Sequence, residues 1–180
     1  MKKGEYIFKS KRLGFRNWRK EDLQEFAKLN ADAAVMEHFP KTLSEIEVNN
    51  LIVELRKHFS DYGFTYYATE ILETHEFIGM IGLAFQRYET AYTPAIDIGW
   101  GLKRSAWGKG YATEGATACM AYAFSDLGIN KILSVCTTTN TKSENVMKKI
   151  GMTKIGEFNH PELVDYPKYE RHVCYEISKD

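Results

Sequence analysis

No apolar run in this sequence approaches the roughly 20 residues that a bilayer-spanning helix requires, so no membrane partner is expected. Net charge is missing too, because 24 acidic residues balance 24 basic ones. With no global field to draw the chain onto nucleic acid, any anion site has to be built locally. Cysteine is scarce and odd in number. Cys119, Cys136 and Cys174 are widely spaced among apolar neighbours, which predicts reduced, buried thiols in a cytoplasmic protein rather than disulfides. His38, His58, His75, His160 and His172 show no ligand spacing, so no metal is expected. Internal repeats, low-complexity segments and linkers are also lacking. The opening MKKGEYIFKS has basic residues but no apolar stretch behind them, so it does not read as a secretory signal.

What is present reads as one α/β domain spanning residues 1–180, with 44% hydrophobic and 27% charged residues. RLGFR suggests a first strand, and a helix follows from near Lys20 with Leu23, Phe26, Ala27 and Leu29 on one stripe. DAAVMEHF predicts a second, short helical turn. TLSEIEVNNLIVELRKHF predicts a longer helix opened by a Ser44–Glu47 capping box, with Ile46, Leu51, Ile52 and Leu55 along its apolar face. FTYYATEIL and EFIGMIGLAF read as strands joined through residues 73–75, and PAIDIGWGL as another. Tyr111 to Leu127 predicts a helix closed by Gly128. NKILSVCTTTN predicts a buried strand. TKSENVMKKIGM predicts a short helix capped by Thr141 with Glu144 and ended by Gly151, and MTKIGEF and RHVCYEIS supply two last strands. The order implies a mixed sheet with antiparallel pieces at both ends.

Between PAIDIGWGL and the helix at Tyr111 stands WGKGYATEG. A strand, a glycine-bearing turn and a helix form an anion site by geometry, since the first helical N–H groups lack internal partners and carry the positive end of the helix dipole. Lys103, Arg104 and Lys109 surround the turn, and no acidic residue occurs between Asp97 and Glu114. Neither common nucleotide fingerprint fits. The P-loop needs Ser or Thr after its lysine, where Gly110 stands, and G-x-G-x-x-G would need glycine at Thr113. A plain tight turn remains the alternative.

In company with other segments, this loop resembles the GNAT superfamily of acetyl-CoA-dependent N-acetyltransferases, and more specifically the branch containing the ribosomal-protein N-terminal alanine acetyltransferases. The superfamily pattern is Arg or Gln, two residues, Gly, one residue, then Gly or Ala. Here it runs Trp107-Gly108-Lys109-Gly110-Tyr111-Ala112, with Trp107 in the first place. KRLGFRNWRKEDLQEF, FIGMIGL, IDIGW and the N-x-x-S-x-x-V-M-x-K-x-G-M pattern of Asn140 to Met152 agree. The resemblance extends over residues 11–177.

The resemblance implies the GNAT acyl-CoA N-acyltransferase fold, in which two parallel strands splay apart and the pantetheine arm lies in the gap. Here those strands would be PAIDIGWGL and NKILSVCT. Gly99 and Gly101 flank Trp100, a pattern that marks a bulge or a close backbone approach. Acetyl-CoA is the implied cosubstrate. Its contacts would come from Ile98, Trp100, Gly101 and Leu102 of the strand, from Trp107, Gly108, Lys109, Gly110, Tyr111, Ala112 and Thr113 of the loop, and from Asn140 and Ser143. The backbone N–H of Trp100 or Gly101 would polarise the thioester carbonyl.

Acetyl transfer to an amine requires one proton to leave the nitrogen and one to reach the departing thiolate. For the first, Asp97 is the leading candidate base and Glu70 the second. Many family members place the acid on a tyrosine four residues before the glycine that ends the short helix. That position is Met147 here, and Ser143 is the natural substitute; departure of the thiolate unaided is the alternative. Lys148 and Lys149 could face the coenzyme phosphates or form a solvated helix face. The two N-terminal helices and residues 159–171 would wall the acceptor site. The acceptor is expected to be a protein N-terminus or a small-molecule amine, and the enzyme a monomer or homodimer. The rival reading is an acyl-CoA-binding sensor without turnover.

Overall fold

A computed structural model describes residues 6–179; the MKKGE opening of the chain lies outside the described residues. Eight strands form one mixed sheet in the order β1-β2-β3-β4-β5-β6-β8-β7. They are β1 (Phe8–Lys9), β2 (Leu13–Arg16), β3 (Tyr66–Ile71), β4 (Phe77–Gln86), β5 (Ala95–Leu102), β6 (Lys131–Thr137), β7 (Thr153–Asn159) and β8 (Arg171–Ser178). Helices are α1 (Asp22–Ala31), α2 (Glu45–Tyr62), α3 (Tyr111–Ser125), α4 (Thr141–Lys149) and the single turn α5 (Pro167–Glu170). All neighbouring strands pair antiparallel except β5 and β6.

Period-2 alternation sorts each strand between the two faces. Leu13 and Phe15 of β2, Tyr67 of β3, Ile81 and Leu83 of β4, Ile98 and Leu102 of β5 and Ile132 of β6 share one core. α3 covers that face with Ala116, Cys119, Met120 and Ala123, and α4 with Met147. The opposite face is covered at the β2–β4 side by α1 and α2, through Phe26, Leu29, Val48, Ile52 and Leu55 packed with Trp18, Ala68 and Phe77. Asp97, Gly99 and Gly101 alternate with the core residues of β5 and so lie on this second face.

Most predicted elements form. The capping box at α2 is present, with Ser44 accepting from Glu47 N–H and Glu47 accepting from Ser44 N–H. Gly128 takes a left-handed φ of 66°, and Ile129 N–H returns to Ala123 O at 3.0 Å, which turns the chain away after α3, whose last helical residue is Ser125 rather than Leu127. All three cysteines are free and buried.

Four expectations need correction. DAAVMEHF forms successive turns, not a helix, as Val35 and Met36 N–H both return to Asp32 O. Ile46 points outward at 76% exposure, and Val48 takes its place on the buried stripe of α2. α4 is capped by Asn140, whose side chain accepts from Ser143 N–H at 3.1 Å. Glu144 instead accepts from the Tyr175 hydroxyl at 2.7 Å, so Thr141 and Glu144 make no capping box. Lastly, β4 and β5 pair without interruption from Gly79–Leu102 to Gln86–Ala95, so no bulge accompanies Gly99 and Gly101.

Replacing Ser44 by alanine removes the acceptor for the Glu47 amide. Urea unfolding should show a loss of about 1 kcal/mol with no change in the fold.

Candidate active site

β5 and β6 meet at a single pair, Asp97 with Leu133, and then separate. The Ser134 hydroxyl closes the vertex by donating to Ile98 O at 2.9 Å. That bond fixes the direction of the neighbouring backbone groups. Ile98 O points toward β6, so alternation turns the N–H and C=O of Trp100 and the N–H of Leu102 the same way. Lys103 N–H donates to Ile78 O on β4 at 2.9 Å, which confirms that odd-numbered residues face the other edge. The gap therefore receives backbone from Trp100 and Leu102, and of the Trp100 and Gly101 N–H groups it is that of Trp100 that faces it.

β5 leads through a 3-10 turn (Arg104–Ala106) into the glycine loop. Gly108 and Gly110 adopt φ of 73° and 78°, a region costly for side-chain-bearing residues. An added Cβ would meet nothing within 4 Å at Gly108 and only Arg12 Nη2, at 3.6 Å, at Gly110. The glycines thus serve backbone shape and leave the space above the loop open. Glu114 N–H bonds to Gly110 O at 3.0 Å, and the amides ahead of it in the first turn of α3 lie at the positive end of the helix. A cradle of this kind, beside an open strand edge, fits a diphosphate joined to a strand-like arm.

Trp107 occupies the place where the family pattern has Arg or Gln. Its indole N–H donates to Leu102 O at 2.7 Å, which saturates the last carbonyl of β5 and anchors the loop to the strand. Lys142, at the start of α4, lies over its ring at 4.6 Å. The cations expected around the loop are partly neutralised by distant acids. Lys103 pairs with Glu76 at 2.6 Å and Arg104 with Asp32 at 3.7 Å. A different cation stands at the turn. Arg12 is stacked on Tyr111, 4.5 Å from the ring centroid, and is tied to Glu114 by its backbone N–H and its Nε, at 2.7 and 2.6 Å. The basic run KSKR holds this residue, but nothing local in the sequence says that it folds back against the loop.

Asp97 is 7% exposed. Tyr66 donates to its Oδ1 at 2.7 Å, and Gln86 Nε2 donates to its Oδ2 at 3.1 Å and to the Tyr66 oxygen at 3.2 Å. Burial outweighs these bonds and raises the Asp97 carboxyl to about 6. Burial likewise pushes the Tyr66 phenol well above its usual value. Gly99 makes room for this arrangement, because a Cβ there would stand 3.1 Å from a Tyr66 ring carbon. Tyr66 and Gln86 escaped the sequence reading, since a tyrosine or glutamine on an apolar strand carries no local mark of what it faces across the sheet.

Glu70 does not join this group. Its level on β3 is that of Phe77, and its carboxylate accepts from Arg16 Nε at 2.7 Å and the Tyr6 hydroxyl at 2.8 Å. Arg16, 3% exposed, also binds Asp22 through both terminal nitrogens at 2.7 and 2.8 Å. A carboxylate locked in a buried ion pair four residues along the strand from Tyr66 is a structural anchor, so Glu70 is set aside as a base.

Across the gap, Cys136 Sγ contacts Asn140 O at 3.7 Å, and burial raises the thiol to about 12. Asn140 spends its side-chain oxygen on the α4 cap, which leaves its amide nitrogen to donate elsewhere. The partly buried Ser143 hydroxyl makes no hydrogen bond among the described residues, so it is free to donate. Met147, 1% exposed, belongs to the core, and no acid stands at its position. Lys148 pairs with Glu144 at 3.0 Å. Thr139 Oγ1, in the turn between β6 and α4, lies 3.4 Å from His38 Nδ1, which brings residues 32–43 to the open end of the gap. The segment between β7 and β8 is closed at its base by His160 N–H donating to Glu170 O at 2.8 Å. Tyr88, Phe158, His160 and His172 stack together there, with His160 4.3 Å from Tyr88 and 5.2 Å from His172.

An open sheet edge running into an amide cradle defines an acyl-coenzyme A transferase cleft. The acetyltransferase (GNAT) domain family matches residues 12–153, and the chain belongs to that family. It is 31% identical over 150 residues to YnaD, an uncharacterized N-acetyltransferase of Bacillus subtilis, covering 83% of this chain and 84% of that protein. Its fold matches a ribosomal L7/L12 alpha-N-protein acetyltransferase (RimL) solved with coenzyme A, at a TM-score of 0.77 and 19% identity over 98% and 99% of the two chains. It also matches spermidine N-acetyltransferase from Vibrio cholerae, solved with coenzyme A and spermine, at 0.72 and 19% identity over 93% and 95%. The protein is an acetyl-CoA-dependent acetyltransferase of the GNAT fold.

Two outcomes follow from the site. Gly110→Asp, which places a side chain and a negative charge in a left-handed turn above the cradle, should raise the coenzyme A dissociation constant at least tenfold by calorimetry, with the circular dichroism spectrum retained. Glu70→Gln should cost roughly 2 kcal/mol in urea unfolding by removing a charge-assisted hydrogen bond to Arg16, which keeps its Asp22 pair, while turnover per folded molecule is retained. Loss of turnover in a stable Glu70→Gln protein would return that residue to the catalytic group.

Proposed function

We propose that this enzyme transfers the acetyl group of acetyl-CoA directly to a primary amine, with Asp97 as base, the Trp100 N–H as oxyanion donor and Ser143 as acid. The observation that carries the reading is the free edge of β5, which begins immediately after the buried Asp97. Coenzyme A supplies an activated thioester, and the chain's residues supply position and protons.

The loop amides from Gly108 to Thr113 hold the diphosphate, with Lys109 and Trp107 at its flank. Main-chain groups of Trp100 and Leu102, beyond the vertex at Ile98, align the arm along β5, and the Asn140 amide borders it from the α4 side. The Trp100 N–H, aimed into the gap, favours negative charge on the thioester oxygen. The amine approaches from the face that bears Asp97, where the Tyr66 ring lies against Gly99, so it meets the tyrosine before the carboxylate. At pH 7 a carboxyl of pKa about 6 is mostly ionised yet still basic enough to take a proton from an ammonium group. Tyr66 lies on the route. Its hydroxyl already donates to Asp97, so it passes a proton inward while receiving one from the nitrogen. The unbonded Ser143 hydroxyl donates to the departing sulfur and is restored by the second proton that the nitrogen sheds as the amide forms.

The acceptor is an amine of a protein N-terminus or a small molecule. The fold shared with acetyltransferases named for a ribosomal protein and for spermidine supports both kinds. The wall that selects it consists of residues 32–43 and 159–170, which flank the open end of the gap. A panel of peptides and polyamines, followed by thiol release from acetyl-CoA, tests the reading. Tight coenzyme binding without release for any amine would favour a sensor instead.

The pH dependence of Asp97 has a worked sign. Below about 6 the carboxyl is protonated and cannot accept, so kcat/KM should fall about tenfold per pH unit there. Asp97→Asn should be slow and lack that limb. The folded state also holds this proton at pH values where an unfolded aspartate, with its usual value of 3.8, has lost it. Wild-type stability should therefore decline as pH rises from about 4 to 6, by roughly 3 kcal/mol. The Asn variant should escape that decline in urea titrations. A limb near pH 6 persisting in Asp97→Asn would assign the base elsewhere.

A further inference from the structure

A cavity of about 360 Å³ opens beside the start of α1, away from the coenzyme cleft. Residues 16–21 and Arg56 of α2 line it. It borders β2, which is separated from β5 by β3 and β4. At about 4.8 Å per strand, some 14 Å of sheet lies between them.

Four of its seven lining residues are cationic: Arg16, Arg19, Lys20 and Arg56. Arg16 is fully engaged by Asp22 and Glu70. The other three form no ion pair among the described residues, and Glu21 is the one carboxylate in the lining. Arg19 carries a sharper sign of incompleteness. Its Nη2 atom is buried from water and has no hydrogen-bond partner among the described residues. Buried polar groups are nearly always paired, and an orphaned charged donor calls for an acceptor from outside.

We infer that this cavity is a binding site for a small oxyanion, the phosphate or carboxylate group of a metabolite or a free ion, held by Arg19, Lys20 and Arg56. Guanidinium groups match such oxygens in a planar fork. The volume lies at the lower end of small-molecule sites. Trp18, the aromatic member of the lining, offers no stacking face. It is 3% exposed, its ring packs on Phe26, and its indole N–H donates to Tyr66 O. A nucleobase therefore gains nothing here, while a compact anion gains three cations. Arg16, held by Asp22 and Glu70, keeps the floor rigid.

The test uses the intact protein saturated with coenzyme A, so that the phosphate cradle is already filled. Arginine Nε–H resonances are followed during titration with inorganic phosphate, glycerol 3-phosphate and acetate, against chloride at matched ionic strength. Saturable shifts at Arg19 and Arg56 with phosphate, glycerol 3-phosphate or acetate support the site. Stronger binding of glycerol 3-phosphate than of phosphate identifies a metabolite-borne group, and equal binding identifies the free ion. Arg19→Gln and Arg56→Gln should each weaken the dissociation constant about tenfold without altering coenzyme A affinity. Linear shifts, shifts matched by chloride, or unchanged affinity in both folded variants would overturn the proposal.

Discussion

A β-sheet cannot come apart in its middle without leaving main-chain donors and acceptors unpaired, and that constraint organises this molecule. After Asp97 and Leu133, β5 retains β4 on one edge and has no strand on the other. The opening is held from both sides rather than collapsed. β6 is fixed along its whole length to β8, β5 is fixed to β4, and the Ser134 hydroxyl bridges the vertex at Ile98. Unpaired backbone groups in a buried setting demand partners. A ligand whose arm carries amides at strand-like spacing meets that demand, so the coenzyme site is a consequence of the topology before any side chain is considered.

The same opening sets the environment of Asp97. As the last residue of β5 paired to β6, it sits where the sheet is still closed enough to exclude water, yet its strand is exposed two residues later. Exclusion of water raises its proton affinity, and Tyr66 extends its reach toward the open part. The absence of a side chain at Gly99 is what lets the tyrosine ring lie against β5. Asp97, Gly99 and Tyr66 thus form one arrangement across two strands, and a change of register between β3 and β5 would dismantle it.

Much of this was legible in the chain. Helix and strand order, the α2 capping box, the Gly128 close and the amide cradle follow from local chemistry, because caps and left-handed turns are decided within a few residues. The GNAT resemblance supplied the splayed pair, which no periodicity reveals. Long-range partnerships were less legible. Glu70 and Asp97 look alike as acidic residues on apolar strands, and only the packing shows that Arg16 pairs with one while burial without a cation raises the proton affinity of the other. Nor does a local reading find Arg12 at the loop. It stands just ahead of β2, and Glu114 recruits it from 102 residues away. The failure at Thr141 has the opposite origin. Glu144 was free to box the cap, but the Tyr175 hydroxyl of β8 claims its carboxylate, and Asn140 serves as cap instead.

Trp107 illustrates how a departure from a family pattern can preserve its purpose. An Arg or Gln in that place carries donors, and so does the indole, with a single N–H. That N–H is directed at Leu102 O, the final acceptor of the open edge, and the ring then provides a flat surface under Lys142. The loop is consequently tied to β5 through one hydrogen bond and to α4 through a cation–π contact, while Arg12 and Glu114 tie the start of α3 to the segment ahead of β2. Three elements that are distant in sequence converge on a turn of four residues. Holding the cradle rigid from three directions reduces the ordering cost when a flexible diphosphate binds. The glycines supply the shape of the loop, and the surrounding side chains keep it in that shape.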